Sequence, residues 1–365
     1  MAAERKWSLG LMSGTSLDGV DAALIRTDGE HVFEFGESIT INYNDQERKE
    51  LREAVYGRGD ILLAEHKMTI KHADVVANLL KKTGLSYRDI EIIGFHGQTV
   101  SHRPDEHLTW QIGDGALLAE KTRIDVVSDF RRRDVAAGGQ GAPLVPLYHA
   151  ALARRMNLPV AILNIGGMAN VTWIGRSENA ADELMALDIL AFDTGTGNVL
   201  LNEWAFEKTS QNCDLNGALA FAGEVSHKVV ELMLKDWFFA KHPPKSLDRN
   251  YFTFEEVIKL SPEDGAATLT EFTTASIELG AKFFPAPARQ WFVAGGGRLN
   301  PAIMESLREK FNNVYPVESL GWKGDALEAQ AFAFLAVRSL KGLPLSLPTT
   351  TGAIRAVTGG TLHRA

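Results

Sequence analysis

The chain of 365 residues contains a single cysteine, Cys213. One thiol excludes an intrachain disulfide and any cysteine-built metal cluster, and it fits a reducing compartment such as the cytoplasm. Long apolar runs are missing as well: none approaches the roughly 20 residues that a membrane-spanning helix needs. The charges of Glu4-Arg5-Lys6 are followed by no apolar segment ending in a small-residue cleavage site, so neither a signal peptide nor a membrane anchor is expected. Basic charge is in deficit, with 38 Lys and Arg against 46 Asp and Glu and a net charge of −8. Nucleic acid is therefore a poor candidate for main partner, because neutralising phosphates takes a basic surface. Among catalytic signatures, G-x-x-x-x-G-K-[ST], H-E-x-x-H and G-x-S-x-G do not occur, and no G-x-G-x-x-G follows a strand. These gaps disfavour a Walker-type or dinucleotide fold, a zinc protease of that type and a serine hydrolase.

What remains is an ordinary globular composition, 45% hydrophobic and 23% charged, in a chain long enough for two domains. The start, Trp7 to Ile25, reads as strand, tight turn, strand, and a third strand covers His31 to Tyr43. Helical spacing follows from Gln46 to Gly84, with Leu62, Leu63, His66, Ile70, Ala73 and Val76 as its expected buried face. Ile90 to Gln98 and Ile124 to Phe130 read as strands ending in polar residues, with a helix start near Gly115 between them. The glycine-rich stretch Arg131 to Pro143 is the expected crossing between domains. Strands recur at Val160–Ile165, Val171–Ile174 and Ile189–Phe192, in the same broad order as before. The rest is mostly helical, with amphipathic segments at Val225–Phe239 and Ala267–Phe284 and one more, apolar helix at Leu327–Leu340. A strand from Gln290 into a glycine turn interrupts them, and Pro301 suits the first turn of a helix.

Four turns each follow an apolar strand and expose backbone N–H groups: Gly14-Thr-Ser-Leu-Asp-Gly-Val-Asp21, Asn164-Ile-Gly-Gly167, Asp193-Thr-Gly-Thr-Gly-Asn198 and Gly295-Gly-Gly-Arg-Leu-Asn-Pro301. Such turns suit phosphate oxygens, and two lobes could clamp a nucleotide between them and exclude water on closing. Asp193 ends a buried strand, where open α/β sheets bind ligands, so it is a candidate general base; a cap for the next helix is the alternative.

The runs Gly10-Leu-Met-Ser-Gly-Thr-Ser-Leu-Asp-Gly-Val-Asp21, Gly94-Phe-His-Gly-Gln-Thr99, Asp129-Phe-Arg-Arg-Arg-Asp134, Gly138-Gly-Gln-Gly-Ala-Pro-Leu-Val145 and Asn164-Ile-Gly-Gly-Met-Ala-Asn170 closely resemble the anhydro-N-acetylmuramic acid kinases, collinearly from about Ser8 to Ala336. The resemblance implies the α/β fold of the acetate and sugar kinase/heat-shock 70/actin superfamily. Two RNase H-like lobes, each a mixed five-stranded sheet with helices, would surround a central ATP cleft. The expected lobes are residues 1–137 with 341–365, and 138–340. The implied reaction uses ATP and Mg²⁺ to open the 1,6-anhydro bridge of anhydro-N-acetylmuramate with water and phosphorylate O6, in peptidoglycan recycling. A cytoplasmic homodimer acting on a small sugar, with no nucleic-acid or membrane partner, is implied too.

By the same resemblance Asp193 is the catalytic base. Gly14, Thr15, Ser16 and Asp18 form the first phosphate loop, where the competing reading is a plain hairpin turn, and Asp18 could instead hold Mg²⁺ through water. Asn164, Gly166 and Gly167 form the second phosphate loop, and Gly195, Gly197 and Asn198 belong to the turn after the base. Gly295, Gly296, Gly297 and Asn300 match the adenosine-side loop, with helix-start geometry as the alternative for Asn300. Arg131 and Glu328 match sugar-contacting positions; Arg131 could instead pair with Asp129 or Asp134, and Glu328 could face solvent. His96 and Gln98 line the sugar pocket or serve structure. The chain departs from the family pattern at Thr196, where proline is usual, and at Asn202, where aspartate is usual. A sugar- or nucleotide-sensing protein on the same scaffold, or a kinase for another sugar, are the other readings that Asn202 leaves open.

Overall fold

The computed structural model describes residues 6–14, 17–176, 184–248 and 251–365. The chain divides into two compact units, Met1–Leu152 with Ala326–Ala365, and Ala153–Asp325.

In the first unit, β1 (Trp7–Met12), β2 (Gly19–Thr27) and β3 (Val32–Asn42) form an antiparallel meander, followed by β4 (Ile90–Phe95), a hairpin of β5 (Gln98–Arg103) and β6 (Leu108–Ile112), and β7 (Val126–Ser128). β4 runs parallel to β1 and β7 parallel to β4, so the sheet reads third-second-first-fourth-seventh. This is the RNase H-like order once the hairpin is set aside. The sheet has six strands rather than the expected five, because the closing strand Thr361–His363 pairs antiparallel with β7 at its edge. The second unit repeats the pattern with β8 (Val160–Ile165), β9 (Met168–Arg176), β10 (Leu187–Thr196), β11 (Gln290–Ala294) and β12 (Val314–Pro316). Its five strands lie in the order third-second-first-fourth-fifth, the first three antiparallel and the last two parallel to the first.

The unit boundaries fall elsewhere than expected. Helix Leu327–Leu340, assigned from sequence to the second lobe, packs on β1, β2 and β4 of the first unit. Glycines in those strands let it approach the backbone itself: an added Cβ at Gly10 would lie 1.7 Å from Ala329 O, and one at Gly94 2.0 Å from Phe332 O. The buried Tyr148 hydroxyl donates to Gln330 Oε1 at 2.9 Å and ties helix Pro146–Ala153 to the same helix. The stretch 131–143 is therefore no crossing; it lies within the first unit, and the chain crosses at 152/153.

The helical region after Gln46 is two helices, Asp45–Val55 with an Asn44/Glu47 capping box, and Ile61–Thr83, capped by Asp60 and stopped by left-handed Gly84. Its buried face is Ala64, Met68, His72, Val75, Val76 and Leu79, whereas Leu62 and Leu63 are exposed. Of the expected face, Val76 is buried and Ala73 packs against the core, whereas His66 is exposed with Leu62 and Leu63, so the buried stripe is offset in the first turns of the helix. The expected helix Val225–Phe239 is split, because Asp236 accepts from Phe238 N–H and starts a new helix, Trp237–Ala240. Among the described residues no helix is long and apolar enough to cross a membrane.

Candidate active site

β8, β10 and β11 run in one direction, so the turns after them share one edge of the second sheet. Backbone bonds join the first two turns: Gly197 N–H donates to Gly167 O at 2.8 Å and Asn198 N–H to Gly166 O at 2.7 Å. The Asn198 side-chain amide adds bonds to Ile165 O at 3.0 Å and Gly166 O at 3.1 Å. A Cβ at Gly197 would stand 2.3 Å from Gly166 O, so only glycine permits this approach. The third turn closes on the same place, since Gly295 has φ +73° and an added Cβ there would lie 2.5 Å from Asn164 Oδ1. Arg298, absent from the sequence reading, pins that turn: it donates to Gly295 O at 2.9 Å and pairs with Glu318 at 2.8 Å and Asp325 at 2.9 Å. Gly297 packs on Ile165 and Gly296 is exposed. Asn300 caps helix Pro301–Lys310, its side-chain oxygen accepting from Ala302 N–H at 3.0 Å. The arrangement brings together three of the four glycine turns, and of their glycines only Gly167 has no atom of the described residues within 4 Å of an added Cβ.

Asp193 lies in β10 just before a break in register with β9, and it is 8% exposed. Its Oδ2 accepts from Leu247 N–H at 2.9 Å, and its own N–H donates to Lys245 O at 2.9 Å. It is not a helix cap: helix Val199–Thr209 begins after Asn198. Gly195 sits against helix Pro262–Ala281, where a Cβ would meet Ser276 Oγ at 2.7 Å. Thr196 is buried with no partner for its hydroxyl among the described residues, and Asn202 lies half-buried in helix Val199–Thr209. Sequence reasoning missed Lys245 and Leu247, for nothing in Pro243-Pro-Lys-Ser-Leu247 signals burial or contact with a residue about fifty positions away.

On the first sheet, β1, β3, β4 and β7 run one way, so Ser13, Tyr43, His96 and Arg131 follow strand ends at one edge. The Ser13 hydroxyl, also missed in the sequence, bonds Gln98 Oε1 at 2.8 Å and the Tyr43 hydroxyl at 3.0 Å. Burial pushes that phenol up to about 12. His96 is buried against Phe332, with Nδ1 2.8 Å from Gly97 O and Nε2 accepting from Arg131 Nε at 3.0 Å. Arg131 donates only, so His96 is the neutral tautomer with its proton on Nδ1. Burial, with the Arg131 charge adding, pushes its pKa well below the usual histidine range. Both ring nitrogens are engaged, which favours the structural reading of His96. Arg131 also donates to Gly141 O at 2.6 Å. The competing acids are taken elsewhere: Asp129 pairs with Arg132, and Asp134 accepts from Gly141 N–H, Ser346 and Thr351. Glu328 stands half-buried in the first turn of helix Leu327–Leu340.

Gly14 begins the turn after β1, its carbonyl accepting from Leu17 N–H at 3.1 Å; Thr15 and Ser16 lie outside the described residues. Asp18 is exposed, and its carboxylate makes no hydrogen bond or ion pair among the described residues. No group of three or more His, Cys, Asp or Glu among the described residues could hold a metal ion. A carboxylate that no described residue engages fits Mg²⁺ in its usual nucleotide role, where phosphates and water fill most of the shell.

The family model for anhydro-N-acetylmuramic acid kinase matches residues 6–365. The chain belongs to the anhydro-N-acetylmuramic acid kinase family. Proteins of that name from Paramagnetospirillum magneticum and Rhodospirillum rubrum are 52% and 50% identical to it, over 98% and 97% of this chain and 99% and 93% of theirs. A third, from Zymomonas mobilis, is 46% identical over 98% of this chain and 99% of its own. As a member of this kinase family the chain is a phosphotransferase of peptidoglycan recycling that acts on a sugar hydroxyl.

Proposed function

We propose that this chain converts 1,6-anhydro-N-acetylmuramic acid, ATP and water into N-acetylmuramic acid 6-phosphate and ADP. The observation that carries the chemistry is Asp193, a buried carboxylate near the end of β10 that accepts from the Leu247 N–H, in the strand that leads into one of the glycine turns. Asp193 takes a proton from the water that attacks the anomeric carbon. The C1–O6 bond breaks, and O6 attacks the γ-phosphorus as ADP leaves. The Gly197 and Asn198 N–H groups hold the 195–198 turn on the 164–167 turn, and the N–H groups of Gly167, Gly296 and Gly297 bind ATP and steady its growing negative charge. Arg131 pairs with the lactyl carboxylate through its forked donors, and Glu328 accepts from a sugar hydroxyl. Asp18 would hold Mg²⁺, which when bound supplies positive charge to the phosphates.

Incubation with ATP, Mg²⁺ and the anhydro-sugar in heavy-oxygen water tests this directly. The product should gain one water and one phosphoryl group, with the heavy oxygen at the anomeric hydroxyl. A product that retains the anhydro ring, or carries the label in its phosphate, would overturn the mechanism. The reading also takes the protein as a cytoplasmic homodimer, which light scattering at twice the chain mass of 40.0 kDa would support.

A further inference from the structure

The carboxylate and backbone of Asp193 are both held by one short segment. Leu247 N–H donates to Asp193 Oδ2 at 2.9 Å, and Lys245 O accepts from Asp193 N–H at 2.9 Å. The aim of the carboxylate therefore follows the position of residues 245–247. That segment lies outside any helix or strand and has no periodic packing to fix it. Its anchor is the Lys245 side chain, 2% exposed. The ammonium donates to Phe238 O at 2.9 Å and Phe239 O at 3.4 Å, in the short helix Trp237–Ala240. It also sits over the rings of Phe238 at 4.5 Å and Phe283 at 4.9 Å, with Phe192 at 5.9 Å. A lysine this deep loses its hydration, and carbonyl oxygens and ring faces are the substitutes that make the position tolerable. Burial, with the Lys241 charge, lowers its pKa to about 8, against the attraction of Asp193. Phe192 precedes Asp193 in β10, so the ammonium touches the strand that carries the base as well as the segment that aims it.

We infer that Lys245 is a positioning residue: it anchors residues 245–247 so that the Leu247 N–H holds the Asp193 carboxylate in its reactive orientation. The inference rests on Asp193 being the base. Lys245 itself touches no substrate; it acts through the backbone.

The test uses Lys245→Met, which keeps the stem between the rings and removes the donors. Its kcat should fall roughly tenfold to a hundredfold, the loss expected when a reacting group drifts by about an ångström. KM for ATP and sugar should stay within about twofold, since groups that bind both states alike are untouched. The acid limb of the kcat–pH profile should move up by about one unit, because a carboxylate that loses a hydrogen-bond donor is easier to protonate. A merely structural lysine would lower the melting temperature and the active fraction but leave that limb in place, and loss of the ammonium's charge alone would move the limb while leaving the plateau kcat unchanged, so the inference requires both the limb shift and the fall in plateau kcat. Lys245→Gln, which retains a donor for the Phe238 carbonyl, guards against collapse of the methionine variant and should move the limb the same way by less. A wild-type limb in either folded variant overturns the inference. So does rapid exchange of the Leu247 amide in the unmodified enzyme. Failure of the base assignment is read separately: Asp193→Asn with undiminished turnover removes the base and leaves Lys245 without a role.

Discussion

At the carboxyl edge of the first sheet, Ser13, Tyr43, His96, Gln98 and Arg131 present side chains already bonded to one another or to nearby backbone. At the same edge of the second sheet the turns present glycine backbone, stitched by N–H to carbonyl bonds, with Asp193 as the buried acid beside them. Apart from the closing strand at the edge of the first sheet, the strand order and directions of the two sheets are the same, so topology does not set this difference. Turn composition does. An edge of fixed amide dipoles suits an oligophosphate, whose oxygens need many donors and little bulk. An edge of forked and hydroxyl side chains suits a polyhydroxylated acid, which must be told from its relatives by individual contacts. On the proposed reading, one scaffold used twice would acquire two chemistries by exchanging side chains for backbone at equivalent turns.

Replacing Asp193 with asparagine should produce the largest effect. The amide fits the same space and can still accept from Leu247, but it cannot take a proton. Turnover should fall at least about a thousandfold, some 4 kcal/mol of transition-state stabilisation, with ATP affinity nearly unchanged. Stopped turnover together with lost ATP binding would mean instead that Asp193 belongs to the phosphate-binding backbone, and the contrast between acid and glycines at that edge would fail.

Acid should separate the two units next. Three buried histidines lie in the first unit: burial lowers His72 to about 4 and His149 to about 3, and pushes His96 well down. The second unit's histidines, His227 and His242, are exposed. Each buried imidazole is neutral when folded and titrates near 6.5 when unfolded, so below 6.5 the unfolded chain binds more protons. Stability is therefore full above that pH and falls as pH drops toward the folded values, by about 1.4 kcal/mol per unit for each histidine. Hydrogen exchange at pH 7 and pH 5 should show the first unit opening by a few kcal/mol more readily while the second changes little. Equal loss in both units would place the acid sensitivity outside these histidines.

How much of this was legible in the sequence follows from the range of each signal. An apolar run ending in glycines is a local pattern, and it marked β8, β10 and β11 and the turns after them. Contacts between distant segments leave no such pattern. Arg131 reaches His96 across 35 positions, Leu247 reaches Asp193 across 54, and helix Leu327–Leu340 returns to β1 through glycines whose purpose shows only when the helix lies on them. Hence the unit boundary and the anchor of the base were out of reach, whereas the glycine edge was not. The buried face of Ile61–Thr83 was read correctly at Val76 and Ala73 and missed at Leu62, Leu63 and His66 for a related reason: two stripes compete in the first turns of that helix, and what packs beneath decides between them.

The glycines of the second edge divide again, and that division yields the gentlest test. At Gly195, Gly197, Gly295 and Gly297 an added Cβ would strike protein atoms at 2.3 to 2.7 Å, so the fold alone demands glycine there. At Gly167 it would meet nothing within 4 Å among the described residues, and the backbone lies outside the left-handed region. Gly167→Ala should therefore leave stability within about 0.5 kcal/mol of the parent, as for other exposed positions without special contacts. If a phosphate lies against that backbone, the methyl group intrudes on it, and ATP affinity should drop about tenfold, or ~1.4 kcal/mol. Calorimetric titration with ATP beside a thermal melt reads both quantities. Unchanged affinity would mean that the nucleotide stays clear of the 164–167 turn, leaving the turn at 295–297 to bind it; an unchanged melt with weakened ATP binding would mark Gly167 as a glycine required by the ligand rather than by the fold.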